Sequence, residues 1–233
     1  MKIAIISDIH ANLEALEKTF ELIDQKMVDH VYCLGDIIGY GANPNECAAM
    51  LQSRGVECII GNHDRAALDL RNAVHFNRYA RAAVEWTATQ LTQSNIEYLS
   101  NLPYTIVAHD CLFVHATPDK PEEWNYIISE YDAQEFFEFF TTQICWIGHS
   151  HVSGVFCEDM KTTEVEKGKR FIVNVGSVGQ PRNGDWRLSF GVFDVEHWNY
   201  EHVVSEYNVA LARKKIIEAG LPSYLGDRLL SGM

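Results

Sequence analysis

The chain has 233 residues, of which 47% are hydrophobic and 22% charged, and its formal net charge is −13. This length and composition are typical of a globular domain with a sizeable core, and no apolar run is long enough to span a membrane. The acidic balance disfavours an extended nucleic-acid-binding surface, which needs a basic face. An anionic substrate would need local positive charge, which bound metal ions can supply.

The start of the chain and its cysteines indicate a cytoplasmic protein. The opening MKIAIISDIHANLE has a short apolar stretch that runs directly into Asp8 and His10 without a small-residue cleavage site. The six cysteines form no CxxC motif, and several lie within apolar runs. We expect them to be reduced residues of the core.

The first part of the chain alternates strands and helices. KIAIIS predicts a strand, and the helix that follows has Asn12 as its N-cap and an apolar stripe. HVYCL and VECII predict two further strands, which flank a helix that begins near Pro44 and ends at Gly55. This order predicts a βαβ layout with ligands at the carboxyl ends of strands.

From about residue 65 to 104 the pattern is helical and interrupts the strands. TIVAHDCLFVHATP predicts a hairpin with a His-Asp turn, DAQEFFEFFTTQ a short helix and ICWIGHSHV a buried strand. Longer strands follow residue 154, and two helices, from about Val209 and after Pro222, close the sequence. We expect one domain over 1–233, in which the 65–104 helical insertion packs as core, with a lid or substrate wall as the alternative that the sequence leaves open.

Polar side chains follow five apolar runs, in SDIH, GDIIGYG, GNHD, VHATP and GHSH. Any one of them fits an ordinary turn, but repeated polar groups beside buried strands are costly unless they serve a purpose. The side chains are too many for one metal ion, and they are Asp8, His10, Asp36, Asn62, His63, Asp64, His115, His149 and His151.

The residue types predict a transition-metal site. Asp8 and His10 alternate with one residue between them, so on extended backbone they would point the same way and chelate one ion, and the same geometry is expected for His149 and His151. Imidazole, carboxylate and amide donors suit Mn, Fe, Zn or Co, and the lack of cysteine argues against structural zinc. Two ions bridged by Asp36 would clamp a phosphoryl group and generate hydroxide.

The ordered motifs D-x-H, G-D, G-N-H-D, a lone strand-end histidine and G-H-x-H resemble those of the calcineurin-like metallophosphoesterases. The resemblance spans essentially the whole chain and is strongest to the branch of YfcE-type phosphodiesterases and diadenosine tetraphosphatases. It implies a four-layer α-β-β-α sandwich of two mixed sheets flanked by helices. It also implies a cofactor of two metal ions, with Mn or Fe favoured over Zn or Co.

The resemblance further implies a role for each site residue. One ion would be held by Asp8, His10, Asp36 and His151, and the other by Asp36, Asn62, His115 and His149. His63 would remain unligated as general acid or charge stabiliser on the leaving-group side, with Asp64 orienting its ring. Two departures from the family pattern, Ala116 and Ser150, remove no ligand.

Substrate contacts are expected from the loops around these motifs. Arg182 in GQPRNGD is the best candidate for a phosphate contact, because a guanidinium forks onto two oxygens. The alternative is that Arg182 is a surface arginine in a turn and does not bind substrate. Tyr40 and Asn43, in the loop after Asp36, are weaker candidates.

The resulting prediction is a dinuclear metal-dependent phosphoesterase. A small phosphodiester or a dinucleoside polyphosphate is the preferred substrate, attacked by a metal-bridging hydroxide. A protein serine/threonine phosphatase or a phosphomonoesterase is the alternative within the enzyme class. A non-catalytic metal-binding scaffold is the alternative outside the enzyme class. A retromer subunit with this fold lacks the histidine that corresponds to His63. The presence of His63 in this sequence therefore favours the enzyme. The sequence predicts neither substrate identity nor oligomeric state.

Overall fold

Ten strands and eight helices make up the computed structural model, which describes residues 1–233. In chain order the strands are β1 (Lys2–Ile6), β2 (His30–Cys33), β3 (Glu57–Cys58), β4 (Thr105–Ala108), β5 (Cys111–Val114), β6 (Ile144–Ile147), β7 (Gly154–Cys157), β8 (Phe171–Asn174), β9 (Leu188–Asp194) and β10 (Asn199–Ser205). The helices are α1 (Leu13–Gln25), α2 (Pro44–Ser53), α3 (Asn62–Leu68), α4 (Arg78–Gln90), α5 (Gln93–Ser100), α6 (Glu130–Phe136), α7 (Val209–Glu218) and α8 (Ser223–Asp227).

The strands form two five-stranded mixed sheets. The first has the order β10-β9-β1-β2-β3, in which β1, β2 and β3 are parallel and β9 runs antiparallel to β1. The second has the order β4-β5-β6-β8-β7, with β5, β6 and β8 parallel. The parallel strands of each sheet therefore point their carboxyl ends toward one edge.

The alternation of side chains along β1 shows how the layers stack. Ile3 and Ile5 pack between the two sheets with Trp146 and other residues of the second sheet. Ile6 faces the other way and packs with Phe20 of α1. A separate cluster on the outer face of the second sheet contains residues of α6. The predicted four-layer sandwich is confirmed.

The helix boundaries follow from local chemistry. The side chain of Asn12 caps α1 by accepting the Ala15 N–H at 3.2 Å, as predicted. The second helix begins at Pro44, where its missing N–H costs nothing. Within the predicted 65–104 segment, α3, α4 and α5 lie between β3 and β4, but α3 begins at Asn62, inside the GNHD motif.

Two further sequence expectations can be compared with the structure. All six cysteines are buried and unpaired, as expected for residues of the core. The predicted His-Asp hairpin turn joins β4 to β5, with His109 and Asp110 both at positive φ. None of the helices is long and apolar enough to cross a membrane.

Candidate metal centre

The predicted ligands meet at the edge where β1, β2, β3, β5 and β6 end. Each lies in the loop or helix start that follows its strand, and five of them adopt left-handed backbone conformations with φ between 50° and 64°, namely Asp8, His10, Asp36, His149 and His151. The prediction that Asp8 and His10 converge through extended alternation was therefore wrong. They converge because left-handed residues turn the chain back over the sheet edge.

Four side chains form the first group, with donor atoms that all lie within 4.8 Å of one another: Asp8, His10, Asp36 and His151. None is more than 2% exposed. The Asp8 Oδ1 atom lies 3.2 Å from His151 Nε2, and the Asp36 Oδ2 atom lies 3.6 Å from His10 Nε2. The group offers two carboxylates and two imidazoles to one point.

Asp36 also belongs to the second group, which it forms with His115 and His149. Its Oδ2 atom lies 3.5 Å from His115 Nε2, and Asn62 Oδ1 approaches the same nitrogen at 3.1 Å. The shared Asp36 oxygen thus stands between the two groups. His149 and His151 belong to different groups, so the spacing argument that they chelate one ion was wrong.

The hydrogen bonds of the histidines show which nitrogen is free to bind a cation. The Nδ1 atoms of His10, His115 and His151 face the backbone carbonyls of Ile38, Leu34 and Gln180 at 3.2, 2.7 and 2.5 Å. Each Nδ1 must therefore donate, which leaves a lone pair on Nε2 in the neutral ring. For His149 the pattern is reversed, because its Nε2 faces the Trp124 carbonyl at 3.0 Å.

This arrangement fits bound metal. The lone pairs of His10 Nε2 and His151 Nε2 face each other at 3.1 Å. This contact is repulsive without a cation, whereas two nitrogens bound to one ion at about 2.1 Å lie about 3.0 to 3.4 Å apart. Asp8 Oδ1 is buried without a hydrogen-bond partner. The donors are those of a transition-metal site without cysteine.

Backbone N–H groups fix the two carboxylates. The His63 N–H donates to Asp36 Oδ1 at 2.8 Å, and the His149 N–H donates to Asp8 Oδ2 at 2.9 Å. Each aspartate keeps its other oxygen for the centre. Glycine is required beside one of them, because a Cβ on Gly61 would lie 2.1 Å from Asp36 Oδ1.

Burial and charge strongly perturb these groups. Burial alone would raise the pKa of Asp36, but His115 and His63 hold it well below its usual range. Burial likewise opposes the charge on His115, yet Asp36 and Asp8 raise the pKa of this histidine to about 9. Burial lowers the pKa of His149 to about 3. The carboxylates thus stay ionised and attract positive charge to the centre.

His63 lies beside the first group without joining it. Its ring is 4.8 Å from that of His10 and packs against Tyr40 at 4.4 Å and Phe76 at 4.7 Å, measured between ring centroids. Burial lowers the pKa of His63 to about 4. Its Nδ1 atom is buried without a partner, and a Cβ on Gly39 would lie only 2.7 Å from it. Only Nε2 is left to reach a substrate.

Asp64 does not orient the His63 ring, so this prediction was wrong. Its two oxygens accept the Ile38 N–H at 3.1 Å and the Gly61 N–H at 3.0 Å. Burial raises the pKa of Asp64 to about 7. Because Asp64 is the third residue of α3, its carboxylate caps the Gly61 N–H at the helix start and ties that start to Ile38 in the loop after β2.

Of the three residues predicted to contact substrate, Arg182 and Tyr40 lie at the centre and Asn43 does not. The Arg182 guanidinium donates to Gln180 Oε1 at 3.1 Å and to Tyr40 Oη at 3.5 Å, and Tyr40 packs on both His10 and His63. The structure brings these two residues to the site. Asn43 instead lies at the N-cap position before α2, and its backbone N–H donates to the Ala11 carbonyl, so its observed contact is structural.

Sequence reasoning missed an aromatic wall on the side of the second group. Tyr126 stacks on His149 with ring centroids 4.1 Å apart, and Trp124 lies edge-on to His115 at 5.8 Å. Both lie in the long connection between β5 and α6. The available hint was the concentration of aromatic residues soon after VHATP, but their contact with the centre depends on long-range folding.

Comparisons with known proteins agree with this geometry. Residues 1–197 match the calcineurin-like phosphoesterase superfamily domain. A protein of Methanocaldococcus jannaschii is 36% identical over 240 residues, which cover 99% of this chain and 98% of that protein. A metallophosphoesterase from Sphaerobacter thermophilus has 37% identity and a TM-score of 0.88, with 100% of this chain and 99% of that chain covered.

A protein from Pyrococcus horikoshii shares the fold at lower identity, with 18% identity, a TM-score of 0.85, and 100% of this chain and 98% of that chain covered. The family match and the buried groups around Asp36 together indicate a dinuclear metal site. The resemblance seen in the sequence motifs is confirmed. The chain belongs to the calcineurin-like phosphoesterase superfamily and is a metal-dependent phosphoric ester hydrolase.

Proposed function

We propose that the protein is a phosphodiesterase for a small phosphodiester or a dinucleoside polyphosphate. The observation that carries this proposal is the presence of aromatic side chains on both flanks of the centre. Tyr40 and Phe76 lie against His63 on one flank, and Trp124 and Tyr126 lie against the second group on the other. A phosphodiester has a substituent on each side of phosphorus, and each flank offers one of them an apolar surface.

The two groups of side chains would hold the two ions. Asp8, His10, Asp36 and His151 form one ligand set, and Asp36, Asn62, His115 and His149 form the other. Mn or Fe is the proposed occupant, since mixed imidazole and oxygen donors suit these metals, and Zn or Co would also fit. When bound, two such ions act as Lewis acids and supply a nucleophilic hydroxide at neutral pH.

His63 is proposed to serve the leaving group. It lies next to the first group, belongs to neither group, and has one nitrogen buried against Gly39. Its Nε2 atom would donate a hydrogen bond or proton to the departing oxygen, or stabilise the charge that develops there. Arg182 is proposed to bind a non-bridging phosphate oxygen, because its charge is directed to the same rim by Tyr40.

The test compares hydrolysis of bis(p-nitrophenyl) phosphate with that of p-nitrophenyl phosphate, using protein stripped by chelator and reloaded with Mn. The proposal expects cleavage of the diester only after Mn is restored. It also expects that His63→Ala lowers kcat about 10² to 10⁴-fold with metal content unchanged. Arg71→Gln, at an exposed and locally paired position, is the matched control and should behave as wild type.

The outcome also separates the alternatives. Preference for the monoester, or for a phosphoserine peptide, would replace the diesterase proposal with a phosphomonoesterase or protein phosphatase. If the Mn-loaded protein cleaves no ester although both ions are bound, the proposed activity is overturned.

A further inference from the structure

Two arginines beside the candidate metal centre have no aspartate or glutamate partner. Arg182 lies in the loop after β8, and Arg228 begins a short 3-10 turn after α8. Other arginines, such as Arg54 and Arg187, pair with aspartates. In a chain whose 32 acidic residues outnumber its 19 basic ones, two guanidinium groups that both lie near one tyrosine ring and have no acidic side chain as partner need an explanation.

Both arginines lie near the ring of one tyrosine. The guanidinium carbons of Arg182 and Arg228 lie 5.8 and 5.9 Å from the ring centroid of Tyr40. The same ring lies 4.4 Å from that of His63. The Tyr40 ring therefore contacts both Arg228 and His63, the residue that is proposed to serve the leaving group.

The structure fixes the position of Arg228 while leaving most of its donors free. Its guanidinium carbon also lies 5.7 Å from the ring of Tyr224, and its Nε atom donates to the Met233 carbonyl. Its two Nη atoms make no hydrogen bond within the chain. The guanidinium is thus held on two aromatic rings and retains the fork that binds two phosphate oxygens.

Like charges held close together are costly unless an anion joins them. Burial and the neighbouring Arg182 lower the pKa of Arg228. In addition, the Nε atom of Arg182 is buried without a hydrogen-bond partner. Both features favour the binding of an anionic group at this place.

We propose that Arg228 binds a second phosphate of the substrate, which is linked to the phosphate that Arg182 contacts and that is hydrolysed. This inference rests on the proposed function and narrows its substrate class. The ligand has at least two covalently linked phosphates, as in the polyphosphate chain of a dinucleoside polyphosphate or in a short oligonucleotide. Arg228 is a specificity residue in this proposal, because it acts on the second phosphate and not on the reacting one.

Binding is tested first, with ligands that cannot be hydrolysed. The Mn-loaded protein is titrated calorimetrically with methylenediphosphonate and with methylphosphonate. We expect wild type to prefer the diphosphonate, and Arg228→Gln to reduce that preference about ten-fold or more, because a charge-assisted hydrogen bond is lost. Arg228→Lys, which keeps the charge without the fork, should lose part of it, and Arg71→Gln none. An unchanged preference in Arg228→Gln, with melting as in wild type, overturns the proposal.

Kinetics then distinguish the source of the second phosphate. The ratio of kcat/KM for diadenosine tetraphosphate to that for bis(p-nitrophenyl) phosphate, and the same ratio for a DNA trinucleotide, are measured in wild type and Arg228→Gln. A fall in the first ratio alone supports a polyphosphate, and a fall in both supports any neighbouring phosphate. A fall in neither overturns the proposal. If wild type cleaves none of these substrates, the proposed function fails, while the titration still decides whether the second phosphate is bound.

Discussion

A single methyl group at Gly61 is predicted to disable the metal centre. The Cβ of Gly61→Ala would lie 2.1 Å from Asp36 Oδ1 and 2.2 Å from the Asp36 backbone nitrogen. The backbone at Gly61 has φ −102°, which alanine adopts freely, so the damage is purely steric. Relief of the contact requires Asp36 or the start of α3 to move by about 1 Å, twice the roughly 0.5 Å tolerance of a functional site.

The expected cost follows from this displacement. Overpacking destabilises by about 1 to 3 kcal/mol, which lowers Tm by about 3 to 9 °C in a chain of this size. Because Asp36 belongs to both ligand groups, affinity for both ions should fall at least ten-fold. Melting curves and metal analysis after dialysis against graded chelator measure the two effects.

The control is Gly220→Ala, since Gly220 has φ 75° but a Cβ added there would meet no atom within 4 Å. It should lose about 1 to 2 kcal/mol of stability through left-handed strain, with metal binding intact. If Gly61→Ala retains two equivalents of metal with wild-type affinity, the inference that Asp36 is placed by this contact is refuted.

Three further predictions test other parts of the centre. Asp64→Asn should lower the free energy of unfolding by about 1 to 3 kcal/mol, because its new NH₂ group would face a backbone N–H, and the pH profile of kcat should stay unchanged. A shifted pH profile would contradict the structure and support the original prediction that Asp64 orients the His63 ring. Asp36→Asn should lose bound metal, whereas His63→Ala should keep it, and elemental analysis of both proteins checks this. Chelator should lower Tm without loss of secondary structure, as measured by circular dichroism, because metal bound to the folded state adds about 2.7 kcal/mol at one hundred times Kd.

The sequence was enough to predict which side chains come together at the metal centre, because the order and direction of the strands determine where each strand ends. Asp8, Asp36 and Asn62 each follow a strand of one parallel set, whose carboxyl ends share an edge. His115 and His149 do the same in the second sheet. Once strands are recognised from their apolar runs, convergence follows from topology and does not depend on side-chain detail.

The local geometry was not predictable in the same way. Left-handed backbone is uncommon for non-glycine residues, and the moderate enrichment of Asp and His in it is too weak to predict it at Asp8 and His10. Asp64 is different, because an acidic residue in the first turn of a helix is a common N-terminal pattern that was present in the sequence. The positions of Arg228 and Tyr126 depend on contacts across the chain and have no local pattern.

The centre should exist before metal binds, because hydrogen bonds of the backbone hold its strained loops in place. Left-handed non-glycine residues cost about 1 kcal/mol or more each, and several lie side by side here. Interstrand loops offset this cost through hydrogen bonds that need no ion: the Asp8 N–H donates to Gly35 O at 3.1 Å, and the His10 N–H to Asp36 O at 2.9 Å. The scaffold therefore holds the ligands in place, and metal adds stability by mass action alone, in contrast to small domains that fold only around their ion.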